Sequence, residues 1–363
     1  MAVKKTGISR DLIFHPGETI AELLEERGIT QAELAAQTGV SPAFISNVIK
    51  GKKDISAKFA FALEYALDVP KTFWMNLQAN YDAELLEFNE MQTITDEERE
   101  ARKVLNEFVK YLRQKGKMPV GESRDASILS LRKALKFSNI ANLKNIVPEG
   151  AFRMAANTTV DPYVMGAWIR LCQLISDDNE ITTRFEPDKV DELVETLKGN
   201  MLKDEANLPQ ALRNTMSGYG IDFALLRNFR GAPVQGYISQ KNNGVYQMVL
   251  TLRGSFADIF WFSLFHELGH IMSGDVGKSV KFVDVGSDEE KEKKADQFAG
   301  DRLLSPDDYR EFIKNGNFDI ESIQAFALSQ KVMPYIVIGR LQKENRLSYN
   351  SYSGYKTRYK WAK

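Results

Sequence analysis

The stretch SFADIFWFSLFHELGHIMSG, from Ser255 to Gly274, constrains this chain more than any other. Ile259, Phe260, Trp261, Phe262, Leu264, Phe265, Leu268, Ile271 and Met272 make it apolar nearly all round. A helix with no polar face has to be buried. Ser255 is the expected N-cap and Gly274 the stop. Yet the same helix carries His266, Glu267 and His270. Burying such groups without partners costs about 2–7 kcal/mol for a neutral one and more for a charged one. The fold must build something around them.

A metal ion satisfies them directly. His266 and His270 stand at i and i+4, so both imidazoles leave one face at a spacing that two ligands of a tetrahedral zinc can span. Glu267, beside the first of them, is in place to act as general base toward a water at the metal. The chain has only three histidines, His15, His266 and His270. A chance HExxH in so histidine-poor a sequence is on the order of one in several hundred. A purely structural zinc would normally take four protein ligands and no adjacent Glu.

The third ligand is expected on the next helix, in SDEEKEKKADQFAGDRLLSP. Ser287 and Glu290 have capping-box spacing there. Glu292, Ala295, Asp296, Ala299 and Leu303 share one face. Glu292 is the preferred ligand, because Asp296 lies one turn on, where a carboxylate can orient a ligand imidazole. Glu289, one turn earlier on a similar face, is the rival. Glu289, Glu290 and Glu292 also suit a solvated helix start that simply offsets the dipole.

A second motif lies near the other end. In TQAELAAQTGVSPAFISNVIKGKK, Thr30 and Glu33 form a capping box, Gly39 breaks the helix, Ser41 caps the next one and Pro42 fills its first position. Phe44, Ile45, Val48 and Ile49 face inward, leaving Ser46, Asn47 and Lys50 outside, with Lys52 and Lys53 at the end. The first helix, by contrast, carries Glu18, Glu22, Glu25 and Glu26. Such a polarised pair of short helices can present hydrogen-bonding groups to base edges and phosphates. The candidate DNA contacts are Gln31, Ser41, Ala43, Ser46, Asn47, Lys50, Lys52 and Lys53. A helical hairpin that only packs or dimerises would show much of the same pattern.

Composition narrows the setting. A net charge of −1 excludes a polycation, so any DNA affinity must come from a local patch. The single Cys172 allows no internal disulfide and no Cys-rich zinc site. No signal core and no apolar run of about 20 residues is present, so a cytoplasmic protein without membrane contact is expected. At 363 residues two or three domains are expected: 1–82, a helical connector over 83–184, and 185–363. Thr95 and Glu98 open a helix that Gly116 should stop, and further helices are expected at 128–137 and 163–175. Beyond 185, helices at 190–201 and 208–216 precede strands at 234–239 and 245–252. Asn243-Gly244 between the strands reads as a hairpin turn with positive φ at both positions. Helices are then expected at 256–272, 288–304, 306–314, 320–331 and 334–345. The polar, aromatic tail SYNSYSGYKTRYKWAK receives no assignment.

These motifs carry two resemblances. His15-Pro16-Gly17-Glu18, the Thr30 to Lys53 stretch and FWMNLQANYD from Phe73 are similar to the HigA-like branch of the XRE, or lambda-repressor-like, family. That implies an all-α helix-turn-helix domain whose helix from Ser41 enters the major groove, a homodimer on a palindromic operator, and a structural His15. The family often has Arg where this chain has Lys53. DIFWFSLFHELGHIMSGD, EKKADQFAGDRLLSP and YIVIGRLQKE resemble ImmA/IrrE-type metallopeptidases over about residues 185–345. That implies an α+β, gluzincin-like domain resembling a minimal thermolysin, within a mostly α, multi-domain chain having one small β-sheet. It implies Zn2+ held by His266, His270 and Glu292, with Glu267 as the catalytic carboxylate and Asp296 behind a ligand histidine. No residue is assigned to stabilising an oxyanion; Tyr335 and Arg340 are candidates only because they lie in a shared stretch, and packing and surface pairing are the preferred reading of both. The expected function is a DNA-binding regulator that cleaves a repressor, antitoxin or other regulatory protein. The alternative is a non-proteolytic, HigA-like antitoxin or repressor whose peptidase fold senses or holds a partner, with a toxin protein as a further candidate partner.

Overall fold

In the computed structural model, described over residues 10–148, 160–175, 181–203, 207–241, 243–277, 282–283 and 289–361, the chain divides into two compact units, Met1–Ile140 and Ala141–Lys363. The 83–184 stretch is shared between them. Most of the described chain is helical, with one small sheet. No helix among the described residues is long and apolar enough to cross a membrane.

The first unit is all helical: α1 (Pro16–Arg27), α2 (Gln31–Thr38), α3 (Pro42–Ile49), α4 (Ala57–Leu67), α5 (Lys71–Gln92), α6 (Asp96–Val104), α7 (Asn106–Gln114) and α8 (Ala126–Leu135). Local chemistry sets the ends of its first helices. Thr30 and Glu33 cap α2 reciprocally, and Gly39 closes it at φ 69°. Ser41 caps α3 through the Phe44 N–H, and Ser56 caps α4 through that of Phe59. Each such cap is worth about 1 kcal/mol, a useful sum for helices as short as eight residues. Their inward faces build one core from Ile20, Leu24, Leu34, Ile45, Val48, Phe59, Leu63 and Trp74.

The His15-Pro16-Gly17-Glu18 motif has a physical explanation here. His15 is the N-cap of α1: its Nδ1 accepts the Gly17 N–H at 2.9 Å, and Glu18 reaches back to the His15 N–H. A Cβ on Gly17 would overlap the Val48 carbonyl of α3, so glycine is what lets α1 and α3 meet. Further along, Thr95 and Glu98 cap α6 as expected. The fully buried Glu98 also accepts from Arg132 Nε and Nη2, at 2.9 and 2.6 Å, and from the Ile140 N–H. Burial raises this carboxyl's pKa, but those donors prevail and hold it below the usual range.

The second unit contains α9 (Pro162–Ile175), α10 (Val190–Lys203), α11 (Leu208–Gly218), β1 (Ile221–Leu225), β2 (Gly236–Gln240), β3 (Tyr246–Leu250), α12 (Ala257–Met272), β4 (Phe282–Val283), α13 (Glu289–Leu303), α14 (Pro306–Asn315), α15 (Ile320–Ser329) and α16 (Pro334–Lys343). The sheet order is β1-β3-β2-β4. β1 runs parallel to β3, and β2 is antiparallel to both β3 and β4. The sequence predicts only the β2–β3 hairpin. β1 escapes because its Asp222 breaks the apolar pattern; the fold buries that carboxylate against Lys241 at 2.9 Å. In the hairpin turn Gly244 takes positive φ, at 83°, as expected, and the Asn243 side chain accepts the Val245 N–H.

Both sheet faces are covered, so β2 and β3 are almost continuously buried rather than alternating. Ile238, Met248 and Leu250 share a core with Trp261, Leu264, Phe265 and Leu268 of α12. On the opposite face Trp168 of α9 meets Tyr237 edge-on, and Gln247 donates to the Cys172 carbonyl.

Candidate metal centre and helix-turn-helix surface

α12 is the buried helix the sequence demands, but its N-terminus is not capped as expected. Ser255 sits at φ 62° and Phe256 is the N-cap position, with no side-chain bond. The C-terminal tail supplies the missing partners. The Ala257 N–H donates to the Thr357 carbonyl at 2.9 Å, and the Tyr359 N–H to the Ser255 carbonyl at 2.7 Å. Trp261 Nε1 donates to the Tyr359 hydroxyl at 3.0 Å, and Lys356 pairs with Asp258 at 2.7 Å. At the other end Gly274, at φ 70°, closes the helix as expected.

His266, Glu267 and His270 are all buried on α12. α13 packs closely against it: a Cβ on Gly269 would lie 3.0 Å from the Ala295 Cα, so two small residues set the spacing. This brings Glu292 to the histidines. His266 Nε2 lies 3.1 Å from His270 Nε2 and 3.2 Å from Glu292 Oε2, and His270 Nε2 lies 3.8 Å from Glu292 Oε1. Glu289 is elsewhere, almost fully exposed beside Lys293. Ser287, expected to open this helix with Glu290, lies outside the described residues.

The far ring nitrogens are held by carboxylates. His266 Nδ1 is 2.9 Å from Asp296 Oδ1, and His270 Nδ1 is 2.9 Å from Asp275 Oδ2. An ionised carboxylate can only accept, so both Nδ1 atoms carry the proton and both Nε2 atoms present lone pairs. Two lone pairs and a carboxylate then converge on one point, an arrangement that calls for a cation. Ligands about 2.0–2.1 Å from a tetrahedral zinc stand about 3.3–3.4 Å apart, which the observed separations bracket. Oε1 of Glu292 is buried and accepts no hydrogen bond. The residues therefore fit zinc.

Burial pulls the His270 pKa below its ordinary value, with Asp275 opposing. For Asp296 burial pushes up, but the His266 bond and the Lys343 cation, 3.3 Å away, win and hold it low. Asp275 was legible only as an acid just past the helix end and received no role from the sequence. Gly236, at the start of β2, was not singled out either, yet a Cβ there would fall inside the Glu267 carboxylate. Tyr335 is buried in the core. Arg340 lies over the Tyr309 ring at 3.9 Å and bonds Glu344 and the Gly300 carbonyl. A cavity of about 780 Å³ opens from His266, Glu292 and Asp296 along α12 and α16 to Tyr349 and Lys356 of the tail.

In the first unit, Gln31, Ser41, Ala43, Lys50, Lys52 and Lys53 are exposed, and Ser46 and Asn47 are half-buried. Gly51 turns at φ 64° just after α3. The Lys52 and Lys53 N–H groups both fold back to the Asn47 carbonyl, and the Lys53 ammonium lies over Phe44. Three lysines thus gather at the C-terminal end of α3, where the helix dipole also favours cations.

Residues 20–74 match the helix-turn-helix family model HTH_3; this segment is an XRE-type helix-turn-helix domain. Over 69 residues the chain is 42% identical to virulence-associated protein A' of Dichelobacter nodosus, a match covering 19% of this chain and 60% of that protein. The chain thus spans only 60% of the length of that curated relative. Among solved structures, the Pseudomonas aeruginosa antitoxin HigA with the higBA promoter is 31% identical, covering 23% of this chain and 96% of that one with a TM-score of 0.21. A Pseudomonas aeruginosa protein in complex with its 18-bp operator DNA is 35% identical, covering 20% of this chain and 80% of that one with a TM-score of 0.20.

Proposed function

We propose that this chain is a DNA-binding regulator carrying a zinc-dependent endopeptidase domain. The observation that carries the peptidase reading is the convergence of His266 Nε2, His270 Nε2 and Glu292 beside the buried Glu267, with Asp296 and Asp275 behind the two imidazoles. Zinc, when bound there, supplies a Lewis acid that polarises a carbonyl and acidifies water. Asp296 and Asp275 hold the ligand rings in one tautomer and orientation. Glu267 takes the proton from the water attacking a peptide carbonyl and passes it to the leaving amine. Gly236 leaves the space in which that carboxylate sits. The cavity beside the site takes the substrate, a regulatory protein of the repressor or antitoxin kind.

The helix-turn-helix unit places α3 in the major groove of an operator. Its basic end and the exposed Gln31, Ser41 and Ala43 support that reading, as does the match of residues 20–74 to the helix-turn-helix family model. A homodimer would meet palindromic half-sites about one helical turn apart. Asn47→Ala is expected to blur sequence discrimination. Lys52→Ala should weaken binding to all sequences and flatten its salt dependence, as measured by titration at several salt concentrations.

The test that separates the two halves compares His270→Ala with Glu267→Gln. His270→Ala should lose zinc, measured as metal per chain. Glu267→Gln should keep zinc and operator affinity while proteolysis of a partner falls at least about a hundredfold. Full zinc in His270→Ala would overturn the ligand set. Regulation that survives Glu267→Gln intact would make the domain a partner-binding module instead.

A further inference from the structure

Four cationic side chains line the cavity beside the metal centre: Arg253, Arg340, Lys343 and Lys356. Four carboxylates line it too: Asp258, Glu292, Asp296 and Glu344. Three pairs cancel at close range. Lys356 meets Asp258 at 2.7 Å, Arg340 meets Glu344 at 3.1 Å, and Lys343 meets Asp296 at 3.3 Å. Glu292 is turned to the histidines. Arg253 is left over. Among the described residues its hydrogen bond is one, from Nη1 to the Pro233 carbonyl at 2.8 Å, and no carboxylate pairs with it. A guanidinium has five N–H donors in a planar fork suited to a carboxylate.

Its position is built rather than incidental. The turn Leu252 to Ser255, closed by the Ser255 N–H to the Leu252 carbonyl with Gly254 at φ 88°, carries Arg253. The chain before it is tied to the segment entering β2: Thr251 bonds the Gln235 and Val234 carbonyls. Gln235 in turn accepts from Ser263, one turn before Glu267 on α12. Pro233, whose carbonyl Arg253 holds, is three residues before Gly236, which touches the Glu267 space, so at most about 11 Å of chain separates the two. An extended peptide advances about 3.3–3.6 Å per residue. A residue one or two positions from the bond being cut, with its side chain extended, covers that distance.

We propose that Arg253 is a specificity-determining residue that binds the carboxylate of an Asp or Glu lying within two residues of the cleaved bond, so that the substrate class is an acidic peptide segment. This rests on the peptidase reading above. The test uses the zinc-loaded full chain and pairs of peptide hydroxamates that differ only by Glu or Gln, at the first or second residue from the hydroxamate. Both members of a pair anchor through the metal, so their ratio of Kd is insensitive to how much protein is folded. For one position the Glu compound should bind at least about tenfold more tightly, the scale of one charge-assisted hydrogen bond. Arg253→Gln should abolish that ratio and Arg253→Lys should keep part of it. Equal binding of both compounds by the wild-type chain, or an unchanged ratio in Arg253→Gln, would overturn the role of Arg253 while leaving the zinc site standing. If neither hydroxamate binds, the zinc site itself fails, and the Arg253 inference with it.

Discussion

His15 in the first unit and His266 and His270 in the second are one side chain put to opposite uses. His15 Nδ1 accepts the Gly17 N–H, so its proton sits on Nε2, toward Asp54 at 3.9 Å, and its edge packs against Tyr81. His266 and His270 donate hydrogen bonds from Nδ1 to Asp296 and Asp275, so Nε2 is the lone-pair atom. What faces Nδ1 decides whether a buried histidine caps backbone or turns an Nε2 lone pair toward neighbouring groups. The partners also differ in range. His15 is served by a residue two positions away, whereas His266 is served by one thirty positions away.

The largest break of this comparison is expected from glycine. Gly17→Ala pushes a methyl into backbone of α3, which cannot step aside, and should destabilise the first unit by about 3 kcal/mol or more, read by denaturation. Gly236→Ala makes the same change against the Glu267 side chain, which can move. It should leave zinc content and fold in place and lower turnover. A Gly17→Ala chain of unchanged stability would remove the packing account of the His-Pro-Gly-Glu motif.

A smaller effect tests the carboxylates behind the rings. Asp275→Asn and Asp296→Asn should each weaken zinc binding about 10- to 100-fold, some 1.4–2.7 kcal/mol, in competition with a chelator. If only Asp296→Asn does so, Asp275 merely fills the turn after α12.

The smallest effect lies at His15. Burial holds its pKa below the ordinary 6.5, against the pull of Asp54, Glu18 and Asp82. The folded state therefore prefers the neutral ring. Its stabilising contribution is complete above pH 6.5 and is lost as pH falls from there through the lower folded value. The cost should not exceed about 1 kcal/mol, the worth of a cap. The protection factors of α1 amides, corrected for intrinsic exchange at each pH, should fall over that range in the wild-type chain. They should not do so in His15→Asn, which caps without titrating.

The sequence alone determined whatever depends on neighbours a few residues apart. The caps of α2, α3 and α6 were legible, as were the break at Gly39, the burial of α12 and the two histidines on one of its faces, because a helix brings i, i+3 and i+4 together whatever surrounds it. Only the tertiary structure brings Glu292 rather than Glu289 to the histidines, since both carboxylates suit the start of α13 and their placing depends on how Gly269 and Ala295 let two helices approach. It likewise gave Asp275 and Gly236 their places, gave α12 a cap from Thr357 in place of Ser255, and paired β1 with β3. Apart from Asp275, five positions beyond His270, these contacts join residues far apart in sequence. They are set by packing that excludes every other neighbour, and no local periodicity records it.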